Sequence, residues 1–533
     1  MSGQIIAAET LTDGATLTCD VCVVGSGAGG ATVAAGLCEA GLDVILLEEG
    51  GYHTRRDFDL QEQNAYPMLY QERGLRATDD GAITILQGRN VGGSTTINWT
   101  TCYRTPTRIL RHWADRYGLE ELGGDKLNPH FEAMEARLNI QEWPEELANE
   151  NNRRLLEGCR ALGYQVHAVK RNVRGCANSG YCGLGCPHDA KQGMLLTTIP
   201  DALSAGLRLI HHAQAVKLQR EGAKVTSLSA RVKRPDAQTD TGAGFTVNAK
   251  VFVCSGGAIN SPALLLRSEI NPNQLVGQHT LLHPVVAMPA IYEQAIEGWS
   301  GAPQSIASHQ FVDRGPAMGF FMEAPPLQPM LAASGFYGFG KMQIDFLSQL
   351  RNVGVMLAIC VDGLNETTPG GTVYLRRDGR IGVSYPQTPA LVEAFSFAHD
   401  VLARVTFAAG ARRATTLHPQ PLELRGPQDL PRLRERAYGP LAHSIFTAHQ
   451  MGGCRMSASA TEGVVGPDHR VRGQDNLFVI DGSGAAHGLG REPEPHDLRL
   501  GPPRAAHGHR RRPGRLSGRG ALWARYDRRA RSR

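Results

Sequence analysis

The sequence predicts an α/β fold: a largely parallel sheet into which an α+β domain with an antiparallel sheet is inserted. Three observations indicate this fold. Residues 19–25, CDVCVVG, form a β-branched apolar run typical of a buried parallel strand, and similar runs recur at 251–254 and 477–481. The second and third runs also lead into glycine turns. Between them, GTVYLRRDGRIGVSYP at 371–386 predicts an antiparallel hairpin, because Asp-Gly favours a tight turn between two strands.

Composition is that of a globular chain with a large core. The chain has 533 residues, of which 41% are hydrophobic and 20% charged. The first residues show no charged segment followed by an apolar one, and the longest apolar stretch near them is broken by glycines. We therefore expect no secretory signal, no transmembrane segment and a cytoplasmic location. In that compartment the 11 cysteines indicate free thiols, a metal site or redox chemistry.

The first apolar run continues into a dinucleotide-binding fingerprint. GSGAGG at 25–30 precedes a helical stretch, and a second apolar run, DVILLE, ends at Glu48. In this Rossmann-like unit Gly25 permits the tight turn, Gly27 and Gly29 let the backbone approach a pyrophosphate, and Gly30 lets helix and strand pack closely. Glu48 is expected to accept hydrogen bonds from the adenosine ribose. The fingerprint alone does not separate NAD from FAD.

Three further segments favour FAD. They are GRNVGGSTTIN at 88–98, CSGGAINSPALLLRS at 254–268 and HQMGGCRM at 449–456, the last followed by NLFVIDGS. With these segments the chain resembles the glucose–methanol–choline (GMC) family of FAD-dependent oxidoreductases from about residue 18 to 483, closest to its cholesterol-oxidase and long-chain-alcohol-oxidase side. The resemblance implies FAD, oxidation of the CH–OH group of a small-molecule alcohol that is apolar and bulky or long-chain, and oxygen, a quinone or a cytochrome as the electron acceptor. An NAD-linked dehydrogenase is the weaker alternative.

The same segments supply the remaining expected cofactor contacts. Glycine pairs can bring backbone N–H groups against a phosphate or flavin edge without side-chain interference. The resemblance implies that Asn98 bonds the flavin, and Asp481 ends the last parallel strand, at the edge where such sheets bind ligands. The predicted cofactor-binding residues outside the first loop are Gly92, Gly93, Ser94, Asn98, Gly256, Asp481 and Gly482.

His449 is the predicted catalytic residue. The resemblance places the matching histidine beside the reactive nitrogen of the flavin. An alcohol gives up its carbinol hydrogen as hydride only as its hydroxyl proton leaves, so a nearby imidazole assists the reaction. His443 and His283 are expected to be packing or supporting groups.

A cysteine-rich loop raises the possibility of a metal. RGCANSGYCGLGCPHDAKQ contains Cys176, Cys182 and Cys186, with a terminal Cys-Pro that also occurs in ferredoxin loops. Two interpretations stay open: buried free thiols, or an iron–sulfur site. The second would make the protein a dehydrogenase that passes electrons to a cytochrome or quinone.

The expected domain division follows the motifs. FAD-binding parts span 1–110, 191–284 and 441–483, a cap or linker with the cysteine loop spans 111–190, and the substrate-binding domain spans 285–440. Within the last, the apolar run at 315–331 is interpreted either as the lining of a substrate tunnel or as a buried core loop.

The final segment, 484–533, departs from this pattern. It holds 13 arginines, no lysine and four acidic residues, with few apolar positions, and is predicted to be a disordered, aberrant tail. The resemblance requires an Asn-Pro pair and a closing helix here. A one-base shift after Ser483 permits such a reading, since the junction of the codons for Glu492 and Pro493 then encodes Asn or Ser. We therefore expect a frameshift, which would leave a catalytically impaired flavoprotein. The alternative is a basic arm that binds nucleic acid or acidic membrane, which we do not expect.

Overall fold

The computed structural model describes residues 3–235, 239–336, 338–364 and 368–486. Most of the predicted tail, from residue 487 onward, therefore lies outside the described residues. The strands within the described part are, in chain order, β1 (Gln4–Ala7), β2 (Thr16–Val24), β3 (Val44–Leu47), β4 (Thr84–Ile85), β5 (Thr101–Cys102), β6 (Ile140–Glu142), β7 (His167–Ala168), β8 (Lys170–Asn172), β9 (Arg208–His211), β10 (Ala213–Glu221), β11 (Lys224–Lys233), β12 (Asp240–Cys254), β13 (Leu281–Leu282), β14 (Val285–Ile291), β15 (Ile306–Phe311), β16 (Phe320–Glu323), β17 (Val353–Cys360), β18 (Thr372–Leu375), β19 (Ile381–Ser384), β20 (Arg413–Thr415), β21 (Glu423–Leu424), β22 (Phe446–Thr447), β23 (Gln450–Met451) and β24 (Leu477–Val479).

Helices accompany both main sheets. The α-helices of the described residues are α1 (Ala28–Glu39), α2 (Glu62–Leu69), α3 (Thr107–Tyr117), α4 (Asn128–Arg137), α5 (Glu150–Ala161), α6 (Thr198–Ser204), α7 (Gly257–Arg267), α8 (Pro329–Gly335), α9 (Lys341–Ser348) and α10 (Pro389–Ala408). None of them is long and apolar enough to cross a membrane.

The first main sheet is the predicted, largely parallel one, in which β10, β11 and β12 pair antiparallel at one side. Its order is β1-β9-β3-β2-β12-β11-β10, and β24 pairs with the end of β12. The three apolar runs of the sequence lie side by side in parallel: β2 pairs with β3 and with β12, and Phe252–Cys254 pair with Leu477–Val479. Their side chains are buried in two cores, one that includes α1 and α6 and one that includes β10 and β11, as the continuous apolar runs require.

Parallel pairing brings distant glycine turns to one edge. The carboxyl ends of β2, β3, β12 and β24 lie together, so Gly25, Glu48, Gly256 and Asp481 follow neighbouring strands. Ligands of open α/β sheets bind in the crevice at this edge.

The second main sheet is antiparallel, in the order β21-β20-β14-β17-β16-β15-β7. Alternate residues of β14 face opposite sides: Val286 and Met288 pack with α5 and α10, whereas Val285 and Ala287 pack with the segment that holds α8 and α9. The small strands β4 and β22 also join this sheet, so it takes residues from outside 285–440.

The predicted hairpin is confirmed. β18 and β19 pair antiparallel with Val373 opposite Val383, and Gly379 in the connecting turn has a φ of 79°. Its apolar side chains pack against Ile259 and Ala263 of α7. The hairpin therefore packs against α7 and stabilises its position after β12.

Candidate active site

A cavity of about 330 Å³ opens at the carboxyl edge of the parallel sheet. It also reaches the antiparallel sheet, where Val285, Leu357, Ile359 and Phe446 form an apolar wall. Its lining includes most of the predicted site residues, namely Gly25, Gly27, Gly29, Glu48, Gly93, Ser94, Asn98, Gly256, His449, Asp481 and Gly482. Gly30 and Gly92 do not line the cavity; they pack against the residues that do.

The first glycine loop is packed so tightly that side chains do not fit at three of its positions. A Cβ on Gly25 would lie 2.3 Å from the Ser255 carbonyl oxygen, and one on Gly29 would lie 2.0 Å from that of Ile480. A Cβ on Gly30 would lie 1.9 Å from the Gly25 oxygen. Only a Cβ on Gly27 would meet nothing within 4 Å, because this residue faces the cavity at the start of α1.

The second glycine loop lies directly on the first. A Cβ on Gly93 would come within 2.8 Å of the Gly27 Cα, and both Gly92 and Gly93 have positive φ angles, 94° and 55°. The Gly92 N–H donates to Ser26 Oγ at 3.0 Å. The two loops therefore form one cradle of backbone groups, and contact of these glycines with a phosphate or flavin stays a prediction.

Glu48 organises this cradle. Its carboxylate accepts hydrogen bonds from Ser26 N (3.1 Å), Ser26 Oγ (2.5 Å) and Gly50 N (2.9 Å). Burial raises the pKa of the Glu48 carboxyl, and these hydrogen bonds oppose that rise. The position of Glu48 in the cavity wall fits the expected ribose contact, which stays a prediction. Nothing in the sequence pattern pointed to the part that Ser26 plays.

Asp481 joins the end of the last strand to α7. Its carboxylate accepts hydrogen bonds from Gly257 N (2.7 Å), Ser261 Oγ (2.5 Å) and Ser483 N (2.8 Å). Burial raises the pKa of this carboxyl. The chain then continues as a short helical turn, and Ala485 and Ala486, the last described residues, are buried in the core beside it.

His449 lies in the cavity wall just before β23. Burial lowers the pKa of its imidazole to about 3, so the ring is neutral at ordinary pH. Its Nδ1 lies 3.1 Å from Nδ1 of His283. His443, by contrast, does not line the cavity and packs among His399, His418 and Tyr438. The structure thus brings His449 to the predicted site together with His283 but without His443.

A polar cluster in the cavity wall had no signal in the sequence. The Arg76 guanidinium donates to Gln87 Oε1 (2.7 Å) and Asn260 Oδ1 (3.1 Å), side chains that are far apart in the chain. Arg267 and Glu49 line the same region. Glu49 pairs with the buried Arg89 at 3.3 Å. Asn260, Arg267 and Arg89 lie in two of the sequence motifs, but the motifs did not indicate that these side chains belong to one cluster, which only the tertiary structure reveals.

The predicted three-cysteine metal site is not formed. Among the described residues no group of three His, Cys, Asp or Glu side chains could hold a metal, and Cys176, Cys182 and Cys186 are included in that statement. Cys182 instead accepts a 3.8 Å hydrogen bond from Arg171, and burial raises its thiol pKa. The three cysteines form no disulfide and are half-buried, whereas the alternative interpretation expected buried thiols. The residues present do not fit an iron–sulfur cluster.

The apolar run at 315–331 does not line the cavity. Its centre is β16, whose side chains are buried in the two cores of the antiparallel sheet. The centre of the run therefore belongs to the core, while its two ends at Gly315–Pro316 and Pro329–Met330 are exposed.

Comparisons with known proteins agree with this geometry. Family models described as GMC oxidoreductase match residues 66–285 and 368–496. The chain belongs to the GMC oxidoreductase family. It is 31% identical over 469 residues to an uncharacterised GMC-type oxidoreductase of Mycobacterium tuberculosis, which covers 87% of this chain and 71% of the relative. It is 29% identical to the long-chain-alcohol oxidase FAO4A of Arabidopsis thaliana, covering 90% of this chain and 66% of that protein.

Solved structures share the fold. Pyridoxine 4-oxidase from Mesorbium loti superposes with a TM-score of 0.66 at 20% identity, covering 90% of this chain and 97% of the other. Formate oxidase of Aspergillus oryzae RIB40 gives 0.68 at 15% identity, covering 92% and 97%. The GMC oxidoreductase is therefore an FAD-dependent oxidoreductase, and the NAD alternative is not supported.

The residues present fit FAD. The glycine cradle leaves open space at Gly27, and the Asn98 Oδ1 in the cavity wall is buried with no hydrogen-bond partner among the described residues. An amide oxygen of this kind calls for a ligand N–H. Gly27, Gly93, Glu48 and Asn98 are the residues that would hold the dinucleotide.

Proposed function

We propose that this GMC oxidoreductase oxidises the CH–OH group of an apolar alcohol, with His449 as the group that takes the hydroxyl proton. One observation carries the proposal: a neutral imidazole lies in the wall of the cavity that the glycine cradle also lines. FAD, when bound, supplies the acceptor for the hydride. The protein orients the alcohol, excludes water and removes the proton.

The low pKa of His449 is compatible with this role. Burial disfavours the imidazolium before the reaction, so the ring is neutral and keeps a nitrogen lone pair, although it is a weak base in the resting protein. As negative charge develops on the reacting groups, the imidazolium gains an opposite charge close by and becomes easier to form.

The apolar lining of one cavity wall supports an apolar substrate. Val285, Leu357, Ile359 and Phe446 present hydrocarbon surface opposite the cradle, and a hydrocarbon chain gains free energy on leaving water for such a wall. The similarity of the chain to a long-chain-alcohol oxidase agrees with this choice.

The test is anaerobic mixing of the FAD-loaded protein with a panel of alcohols of increasing chain length. We expect the visible flavin absorbance to bleach, faster with apolar alcohols than with short polar ones. His449→Gln should slow bleaching by about 10²–10⁴-fold, and the matched control His443→Gln should not. Admitting oxygen, a quinone or a cytochrome afterwards identifies the electron acceptor. Bound flavin that no alcohol bleaches would refute the proposal and favour a catalytically impaired flavoprotein.

A further inference from the structure

His283 and His449 face each other because of a short pair of strands. β13 and β23 are antiparallel, with Leu281 opposite Met451 and Leu282 opposite Gln450. The next pair in this register is His283 and His449. The His283 N–H donates to the His449 carbonyl oxygen at 3.4 Å, which continues the ladder by one step.

The side chains meet as well as the backbones. The two Nδ1 atoms lie 3.1 Å apart, and the ring planes are inclined by 73°. His283 is fully buried, and its Nε2 has no hydrogen-bond partner among the described residues. The contact with His449 is therefore the polar contact that fixes the His283 ring.

The strand that carries His283 is itself held in place. The Leu282 N–H donates to the Tyr385 hydroxyl at 3.1 Å, and that hydroxyl donates to the Asp362 carboxylate. Tyr385 and Asp362 are both buried. This support limits movement of β13, so His283 presents its Nδ1 to His449 in one position.

Burial keeps both rings neutral. It lowers the pKa of His283 well below its ordinary value and that of His449 to about 3. Among the described residues the one titratable group that acts on His283 is His449. A bond between two neutral imidazole Nδ1 atoms holds a single proton, which sits on one ring and is accepted by the other.

The geometry points to His283 as a positioning residue for the reaction. This inference rests on the proposed function. We assign the shared proton to His449 Nδ1, with His283 Nδ1 as its acceptor and the hydrogen of His283 on Nε2. This assignment leaves the lone pair of His449 on Nε2, whereas the reverse one would leave His449 no free basic nitrogen for the substrate. As the substrate O–H bond breaks, its proton moves to Nε2. The carbinol hydrogen leaves with its electron pair, which FAD would accept when bound, and the C=O bond forms. The resulting positive charge on His449 is stabilised through the Nδ1–H bond to His283.

A neutral partner has a distinct consequence. A carboxylate at this position would raise the pKa of the catalytic ring at all times, as an adjacent negative charge does. Imidazole stabilises the imidazolium by hydrogen bonding without adding a buried charge in the resting protein. The pH at which the base titrates should therefore respond to the chemical nature of residue 283.

The experiment compares three substitutions of His283 in the FAD-loaded enzyme. His283→Leu removes the acceptor, His283→Asn restores an uncharged oxygen near the position of Nδ1, and His283→Asp adds a charge. His399→Leu, which removes a buried histidine of α10 that does not line the cavity, is the matched control. The readouts are flavin content, kcat, KM and the pH profile of kcat/KM.

We expect His283→Leu to lower kcat by about 10–100-fold, the loss typical when a partner that orients a functional histidine is removed, with little change in KM. His283→Asn should recover most of this loss. His283→Asp should move the acidic limb of the pH profile to higher pH, and His399→Leu should leave the profile unchanged. If His283→Leu fails to retain FAD, the Asn and Asp variants decide the question.

Wild-type kcat and an unshifted profile in His283→Leu would overturn the inference. So would an Asn variant no faster than Leu, or an Asp variant with an unshifted limb. Failure of the proposed function looks different: His449→Gln would then bleach as fast as the wild type, or no alcohol would bleach the wild type at all.

Discussion

Gly30→Ala should disrupt the cofactor cradle while leaving the rest of the sheet folded. The new Cβ would lie 1.9 Å from the Gly25 carbonyl oxygen and 3.0 Å from Ser255 Cβ. To reach an ordinary van der Waals separation the Gly25 carbonyl must retreat by roughly 1.5 Å. Overpacking of this kind costs about 1–3 kcal/mol, and it falls on the turn that receives the dinucleotide.

Gly36→Ala in the same helix is the matched control. Gly36 is exposed, and a Cβ there meets nothing within 4 Å. Replacing a glycine in a helix by alanine stabilises the helix by about 0.5–1 kcal/mol. The two variants carry the same chemical change six residues apart, so any difference between them comes from the packing at Gly30.

Titration of the apoprotein with FAD, followed by flavin absorbance, measures the effect, and urea unfolding measures stability. We expect Gly30→Ala to bind FAD at least 10-fold more weakly, about 1.4 kcal/mol, and to unfold at lower urea. Gly36→Ala should bind normally and unfold at slightly higher urea. FAD affinity within twofold of wild type in Gly30→Ala would show that the cradle tolerates the displacement, and the reasoning would be wrong.

Two further predictions concern buried ionisable groups. Glu48→Gln replaces an acceptor of three hydrogen bonds by an amide that must turn an N–H toward at least one donor, so FAD affinity should fall by about 1.5–3 kcal/mol; an unchanged titration curve would contradict this. Burial lowers the pKa of His399 to about 3 and those of His443 and His469 to about 4, from an ordinary 6.5. Below pH 6.5 the unfolded chain takes up protons that the folded chain does not. The contribution of these neutral histidines to the free energy of unfolding is therefore complete above pH 6.5 and is lost as the pH falls toward 4. The slope is about 1.4 kcal/mol per pH unit for each histidine. Urea unfolding across this range should show a shallower slope in His399→Leu, and equal slopes would exclude the His399 contribution.

Local patterns were sufficient to predict the parallel strands and the hairpin. A β-branched run that is buried on both sides carries its own signal, and Asp378-Gly379 specifies a turn whatever surrounds it. The glycine loops were predictable because their motifs are local in sequence, although the contacts that leave no room for a side chain at Gly25, Gly29 and Gly93 come from distant residues.

The rest depends on contacts that no local pattern encodes. Arg76 meets Asn260 across 184 positions, and His283 meets His449 across 166. The second contact depends on the register of two strands of two residues each, too short to show any period. The run at 315–331 shows the same limit, because hydrophobicity predicts burial but not which surface covers it. In the cysteine loop the spacing of the thiols suggested a shared metal, but the Cys182 thiol instead accepts a hydrogen bond from Arg171, which the spacing does not indicate.

The packing of Gly29 against Ile480 sets an order of events during synthesis. The first glycine loop emerges early, but the carbonyl it rests on belongs to a residue about 450 positions later, and Ser255 Oγ also donates to that carbonyl at 2.8 Å. Until β24 is synthesised, the end of β12 lacks its neighbouring strand, and the first glycine loop lacks the Ile480 carbonyl against which Gly29 packs. A ribosome-bound chain that ends before residue 477 should therefore capture no flavin, and cofactor loading belongs to the last stage of folding.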